Sequence, residues 1–272
     1  MILGNPEAKR AGARFVTKLA TAVTALLIAA ACAAAQTDCS AGNGDLDTSP
    51  PKDMTPEQII QKFAAQETKV KEARTHYSFT QDVLVQTLSD NTVDGQFHEV
   101  ATVSYDDKGK RTELVTYAEQ STLRGVQLSE EDIEDIRIFM PLILTTEDLP
   151  QYTLTYAGQQ HVDDLDTYLF HVVPKKPEKN RRYFDGKLWV DNRDFEIVKV
   201  CGKSVPEAPH KKKGPQELRP TFVSYRQLVD GYWFPAYARV DDTLHFRAQS
   251  VHIRETLRLT GYKRTAGVAT KP

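Results

Sequence analysis

A chain of 272 residues, 40% hydrophobic and 26% charged, is long enough to bury a real core in one large or two small domains. Its 14 glycines and 14 prolines are ordinary for a globular protein and exclude collagenous or low-complexity classes. A net charge of −2 argues against a nucleic-acid binder, which would carry a strongly basic surface.

Residues 1–35 read as an export signal. Lys9, Arg10, Arg14 and Lys18 form a basic start, residues 19–31 are apolar apart from Thr21 and Thr24, and Ala33-Ala34-Ala35 supplies a small-residue cleavage signature before Gln36. The apolar run is short for spanning a bilayer, so a retained membrane anchor is the weaker reading. The rival is lipidation of Cys32, because Ala29-Ala30-Ala31-Cys32 is lipobox-like with Ala where Leu is usual. Either way the expected location is periplasmic or otherwise extracytoplasmic, soluble or lipid-anchored. Without residues 1–35, which hold four basic residues and one acid, the net charge moves from −2 to −5. Cys39 and Cys201 then remain, and an oxidising compartment permits a disulfide between them; free or mixed thiols are the other reading.

Residues 36–53 are polar, with almost nothing apolar, and read as a flexible tether. A helix is expected from Thr55, with Pro56 at its first position and Gln58 at the capping-box position. Ile59, Ile60, Phe63 and Val70 share one face, and Lys62, Gln66, Lys69 and Lys71 the other, so the helix packs on something apolar.

Past His76 the period falls to two: Tyr77, Phe79, Val83 and Val85 alternate with Ser78, Thr80, Asp82 and Leu84. Asp94-Gly95 signals a turn, residues 97–105 an extended stretch, Asp106-Asp107-Lys108-Gly109 a hairpin, and residues 111–119 the returning strand. Seven further extended stretches follow between residues 152 and 259, with Asp163-Asp164 and Asp241-Asp242 read as turns. About ten antiparallel strands make a sheet too large to stay flat with one face exposed, so it should curl. One helix interrupts them, starting at Ser129 with an acidic first turn and ending at Pro141; Ile133, Ile136 and Met140 share its apolar face.

The strand motifs have a recognisable order. Tyr156 and Gly158 precede Asp166-Thr167-Tyr168-Leu169-Phe170-His171-Val172-Val173-Pro174-Lys175; then come Phe184-Asp185-Gly186-Lys187-Leu188-Trp189-Val190-Asp191, Glu196-Ile197-Val198-Lys199-Val200, Phe222, Tyr225, and Gly231-Tyr232-Trp233-Phe234-Pro235. Over residues 55–262 this resembles the outer-membrane lipoprotein-sorting, LolA/LolB-like superfamily. The resemblance implies an α+β fold, a curved and incompletely closed antiparallel β-barrel with helices covering its concave side. It implies an apolar cavity that shelters the acyl chains of a lipoprotein or another lipid, in lipoprotein sorting, lipid transport or outer-membrane biogenesis, with no catalysis and no cofactor. The expected organisation is a signal peptide at 1–35, a tether at 36–53, a half-barrel domain at 54–264 and a disordered tail at 265–272.

Enzyme readings find little support in the motifs. The chain has no Gly-x-Ser-x-Gly, P-loop, Gly-x-Gly-x-x-Gly or His-Glu-x-x-His signature, and its seven histidines never pair at a helical ligand spacing. Asp163, Asp164 and Asp166 lack the spacing of a calcium loop, so no metal is expected. Trp189, Trp233, Phe195, Phe222, Phe234 and Tyr237 read as strand core. The cavity candidates are Phe79, Val83, Leu114, Ile133, Ile136, Met140 and Phe170. Two basic clusters, Lys175, Lys176, Arg181 and Arg182, and Lys211, Lys212 and Lys213, fall in expected hairpin loops and are candidates for docking on an anionic membrane or an acidic partner; solvated loops are the bland alternative. The expected function is a monomeric carrier of a lipid or lipoprotein ligand that binds no nucleic acid, and the competing class is a sensory or structural envelope module that binds a protein partner.

Overall fold

The computed structural model describes residues 36–178, 181–206, 219–246 and 249–265. The expected signal peptide, Cys32, Lys211, Lys212, Lys213 and the tail beyond Thr265 lie outside the described residues.

In chain order the elements are β1 (Asn43–Asp47), α1 (Pro56–Arg74), β2 (Tyr77–Ser89), β3 (Thr92–Tyr105), β4 (Arg111–Ala118), α2 (Glu130–Glu134), β5 (Tyr152–Val162), β6 (Leu165–Pro174), β7 (Tyr183–Asp191), β8 (Ile197–Val205), β9 (Phe222–Val229), β10 (Tyr232–His245) and β11 (Ser250–Arg264). Every strand pairs antiparallel in one 11-stranded sheet of order β1-β5-β6-β7-β8-β9-β10-β11-β2-β3-β4. The last strand returns beside the first long one, through pairs such as Leu257↔Val83. β1 and β4 are left as two unjoined edges, so the barrel is not closed.

Alternation builds an inner and an outer face. Phe79, Val83 and Val85 of β2, Val103 of β3, Phe170 and Val172 of β6, Leu188 of β7, Val200 of β8, Phe222 of β9, Val240 of β10 and Ile253 of β11 are all buried in one cluster with Ile59 and Phe63 of α1. A flat sheet of eleven strands would be on the order of 50 Å wide, whereas 19 residues of helix span about 28 Å. One short helix can share a core with so many strands only because the sheet curls around it.

Local signals place the helices. Thr55 and Gln58 form the reciprocal capping box, Gln58 N–H donating to Thr55 Oγ1 at 3.3 Å and Thr55 N–H to Gln58 Oε1 at 2.9 Å. Ser129 and Asp132 do the same for α2, which passes directly into a π-helical turn, Asp135–Phe139. Two expected turns move. The hairpin between β2 and β3 bends at Asp90 and Asn91, with φ of 48° and 65°, the left-handed pair that suits a tight hairpin. Gly95 lies inside β3, where a Cβ would strike the Thr122 carbonyl. Asp241 and Asp242 lie inside β10, Asp241 accepting from His252 at 2.6 Å and from Arg254 at 3.0 Å.

The segment read as a tether is a structural part of the domain. β1 pairs with β5 through Leu46↔Gln160, and Cys39 is disulfide-bonded to Cys201 of β8 with a Cα–Cα distance of 5.6 Å. Lys199 Nζ, fully buried, donates to Ala41 O and to Asn43 Oδ1 at 2.7 Å each. Thr37 Oγ1 donates to Thr221 O at 2.7 Å. The polar residues that suggested flexibility are the ones that hold this strap over a second apolar cluster on the outer face, Val162, Leu169, Trp189, Val198 and Val223.

Candidate functional site

The inner face is roofed rather than closed. Ile59, Phe63, Ala64 and Val70 of α1 bury against it, Phe63 and Phe170 with ring centroids 5.9 Å apart. Glu67 on the same helix is fully buried and takes a bidentate pair from Arg226 of β9, at 2.7 and 2.8 Å. Arg226 Nη2 also donates to the Leu142 carbonyl at 2.6 Å, and Leu144 N–H donates to Glu67 Oε2 at 3.2 Å. One ion pair thus ties the sheet, α1 and the segment after Met140 together. Desolvation makes such a pair costly to break, since either partner alone is a stranded charge.

The second part of the roof is the connection between β4 and β5. Ile136, Met140, Leu142 and Leu144 turn inward to the core. Arg137 turns the other way and pairs with Glu99 of β3 and, at 3.2 Å, with Glu113 of β4. Arg111 pairs with Glu113 and donates to Gln81 Oε1 at 2.7 Å; burial pulls its guanidinium down to about 10. Arg182 fastens the far side, paired with Asp135 and donating to Glu131 O at 2.7 Å.

Two clefts open where this roof meets β3 and β4. One, of about 440 Å³, is lined by Phe97, Leu123, Val126, Leu128 and Ile133. The other, of about 460 Å³, is lined by Arg111, Glu113, Leu128, Ile133, Arg137 and Ile138. Leu128 and Ile133 border both. A third space, of about 20 Å³, lies under the roof between Asp132, Asp135, Met140, Phe222 and Glu255. Neither carboxylate oxygen of Glu255 has a hydrogen-bond partner among the described residues, and burial, reinforced by the charges of Asp132, Asp135 and Asp242, pushes its carboxyl up to about 8.

The expected cavity residues divide three ways. Phe79, Val83, Ile136, Met140 and Phe170 come together in the buried cluster under the roof. Ile133 lines the two clefts. Leu114 is a correction: it pairs with Thr102, which pairs with Thr80, on the outer face, and is 68% exposed. The inner side of β4 carries Glu113 instead, opposite Val103. A one-residue phase error reverses the face of a side chain. Among the basic residues, Lys175 donates to Pro150 O at 3.1 Å, Arg181 stacks on Tyr183 at 5.2 Å, Lys176 is exposed, and Arg182 is tied to the roof. Sequence reasoning missed the Glu67–Arg226 pair, the Arg137 link and Glu255. An acid or a base standing in an apolar-facing register was the available signal for Glu67, Arg226 and Glu255.

His98, His161 and His252 pair with Asp82, Asp166 and Asp241 at 3.0, 3.0 and 2.6 Å. No group of three or more His, Cys, Asp or Glu side chains among the described residues is placed to hold a metal ion. No helix among the described residues is long and apolar enough to cross a membrane.

No protein-family model and no curated protein sequence matches the chain. Among solved structures, it is similar to a DUF1329 family protein from Desulfovibrio piger, at 14% identity and a TM-score of 0.40 over 75% of this chain and 92% of that one. It is similar to a LolA superfamily protein from Nitrosomonas europaea, at 14% identity and a TM-score of 0.34 over 79% and 96%. A third is an outer membrane lipoprotein-sorting protein domain from Vibrio parahaemolyticus, at 11% identity and a TM-score of 0.33 over 75% and 93%. The sheet of this chain is antiparallel and left open at two edges, with a few helices.

Proposed function

We propose that this chain is an extracytoplasmic, non-catalytic binding protein, acting as a monomer, that shelters a lipid or the acyl chains of a lipoprotein between the inner face of its open sheet and the helical roof. The observation that carries this reading is the pair of clefts of about 440 and 460 Å³, bordered by Leu128 and Ile133, at the seam where the roof meets β3 and β4 beside the apolar core. Their size falls within the range of about 300–1,000 Å³ typical of small-molecule sites. The helical part of the roof is held at that seam by ion pairs and apolar contacts rather than by strand pairing, so it can part without unfolding the sheet. Each methylene taken from water contributes about 0.8 kcal/mol, which is what an acyl chain needs to cross an aqueous compartment. The Cys39–Cys201 disulfide suits an oxidising location outside the cytoplasm. The strand motifs that resemble the lipoprotein-sorting superfamily favour the same role.

Native mass spectrometry of the gently purified chain, together with uptake of a fluorescent fatty acid, tests the proposal. Co-purified lipid, returned chemically intact, and probe binding that Leu128→Lys and Ile133→Lys abolish without altering the far-UV spectrum are the expected results. A ligand-free chain that takes up no probe overturns it.

A further inference from the structure

The sheet ends in two unlike edges. β1 is five residues long, Asn-Gly-Asp-Leu-Asp, with Asp45 and Asp47 exposed, and a disulfide anchors the chain four residues before it. Short length and charge are the usual protections of a free edge. β4 is longer, contains no proline, glycine or lysine, and its two charges, Arg111 and Glu113, pair with each other near its start. It exposes Leu114 at 68%, Val115 at 47% and Tyr117 at 47%. No described strand pairs with its outer side. Leu114 shares the outer face with Thr102, and Val115, opposite Ala101, lies on the inner one, so each face of this edge carries an exposed apolar side chain.

Beside the inner side of β4 lies the cleft of about 460 Å³, whose apolar wall is Leu128, Ile133 and Ile138, the last 54% exposed. Its two cations are already spent, Arg111 on Glu113 and Arg137 on Glu99 and Glu113. Glu130 and Glu134 on its rim are exposed and make no ion pair among the described residues. The site therefore combines an unpaired backbone ladder, a pocket for a side chain and an uncompensated negative rim.

We propose that β4 accepts an extended segment of a partner protein as a twelfth strand, apolar at alternate positions and flanked by lysine or arginine. Main-chain hydrogen bonds to the β4 edge would supply affinity, and an apolar side chain lodged against Ile133 and Ile138 would supply selectivity. The flanking cations would meet Glu130 and Glu134. A second copy of this chain fits less well, because its own β4 brings a self-paired Arg111 and Glu113 and sets a second acidic rim beside the first. This partner site shares the wall of Leu128 and Ile133 with the proposed lipid site, but its strand edge does not rest on that reading, and a chain that binds no lipid would still present it.

The test uses a fluorescein-labelled decapeptide of alternating valine and threonine with two lysines at each end, titrated into the full chain at low salt with anisotropy as the readout. Saturable binding is expected, weakened about tenfold by Glu130→Lys with Glu134→Lys. A peptide N-methylated at alternate residues should fail to bind. Amide exchange of Arg111, Glu113 and Val115, whose N–H groups face the free edge, should slow in the unmodified chain when the parent peptide is added, a readout that needs no variant to fold. The proposal is overturned by absence of binding up to millimolar peptide, by equal affinity for the N-methylated peptide, by charge reversals that change nothing, or by a dimer of the free chain that Leu114→Lys dissociates. A chain that binds the peptide but takes up no fatty acid overturns the lipid reading alone, and one that takes up fatty acid but binds no peptide overturns this proposal alone.

Discussion

Glu255 makes the stability of this protein fall as pH rises through neutrality. Its side chain is 1% exposed, sits opposite Val240 and Val85 in the middle of the inner face, and finds no hydrogen-bond partner among the described residues. Asp132 and Asp135 approach it from the roof and Asp242 from β10, while Arg219 lines the same small space. Burial first, then these three carboxylates, push its pKa from 4.5 up to about 8. The folded chain therefore keeps a proton that the unfolded chain has already lost. Between about pH 4.5 and pH 8 the native state binds more protons, so raising the pH favours unfolding; the stability is whole below the unfolded value and lost on passing through the folded one. The gap between 4.5 and about 8, at 1.36 kcal/mol per unit, sets a ceiling of about 5 kcal/mol. Urea unfolding followed by tryptophan fluorescence at pH 5, 6, 7 and 8 measures it, on the wild type and on Glu255→Gln. Glu196, raised to about 7 by burial and then by the charge of Glu67, adds a slope of the same sign that ends sooner. The variant retains that contribution, so the difference between the two curves isolates Glu255. Any cost of burying the amide is the same at every pH. The variant should gain on the wild type steadily from pH 5 to pH 8; a difference that does not change with pH refutes the reasoning.

The roof and the strap make two further predictions. Arg226→Met leaves Glu67 stranded in a buried site and should destabilise by about 3–5 kcal/mol in urea, whereas Glu67→Leu combined with Arg226→Met should recover most of that loss; equal losses in the two variants would mean that a stranded Glu67 carries no penalty. Cys39→Ser with Cys201→Ser opens a loop closed across 162 residues, which on the chain-entropy account removes about 5 kcal/mol, so the thermal midpoint should drop and the β1 amides should exchange faster. Fatty-acid uptake in that variant should stay unchanged, since the strap lies on the outer face; its loss would place the strap at the ligand site.

Local chemistry was legible wherever neighbours in sequence are also neighbours in space. Thr55 with Gln58 and Ser129 with Asp132 close their caps within three residues, and the alternation in residues 77–85 put Phe79 and Val83 on the buried face of β2. The turn at Asp163-Asp164 follows from local preferences in the same way. Asp94-Gly95 misled because its composition suits a turn, whereas the glycine is needed for close approach of residue 122, a contact between distant parts of the roof and the sheet. Leu114 misled because alternation fixes which residues share a face but not which face is inside; pairing with Thr102 decides that.

By itself, then, the amino-acid order determined an antiparallel sheet of period-two strands, one long amphipathic helix and a short capped one, since each depends on contacts within a few residues. Tertiary structure alone decided that a polar leader becomes β1 under a disulfide, that Glu67 meets Arg226 across 159 residues, that Glu255 is sealed among acids, and that β1 and β4 are the two edges of the sheet. The physical reason is shared: burial and pairing energies are set by what the chain brings from far away, and a charged or polar residue carries no local mark of whether it will meet water, a partner or neither.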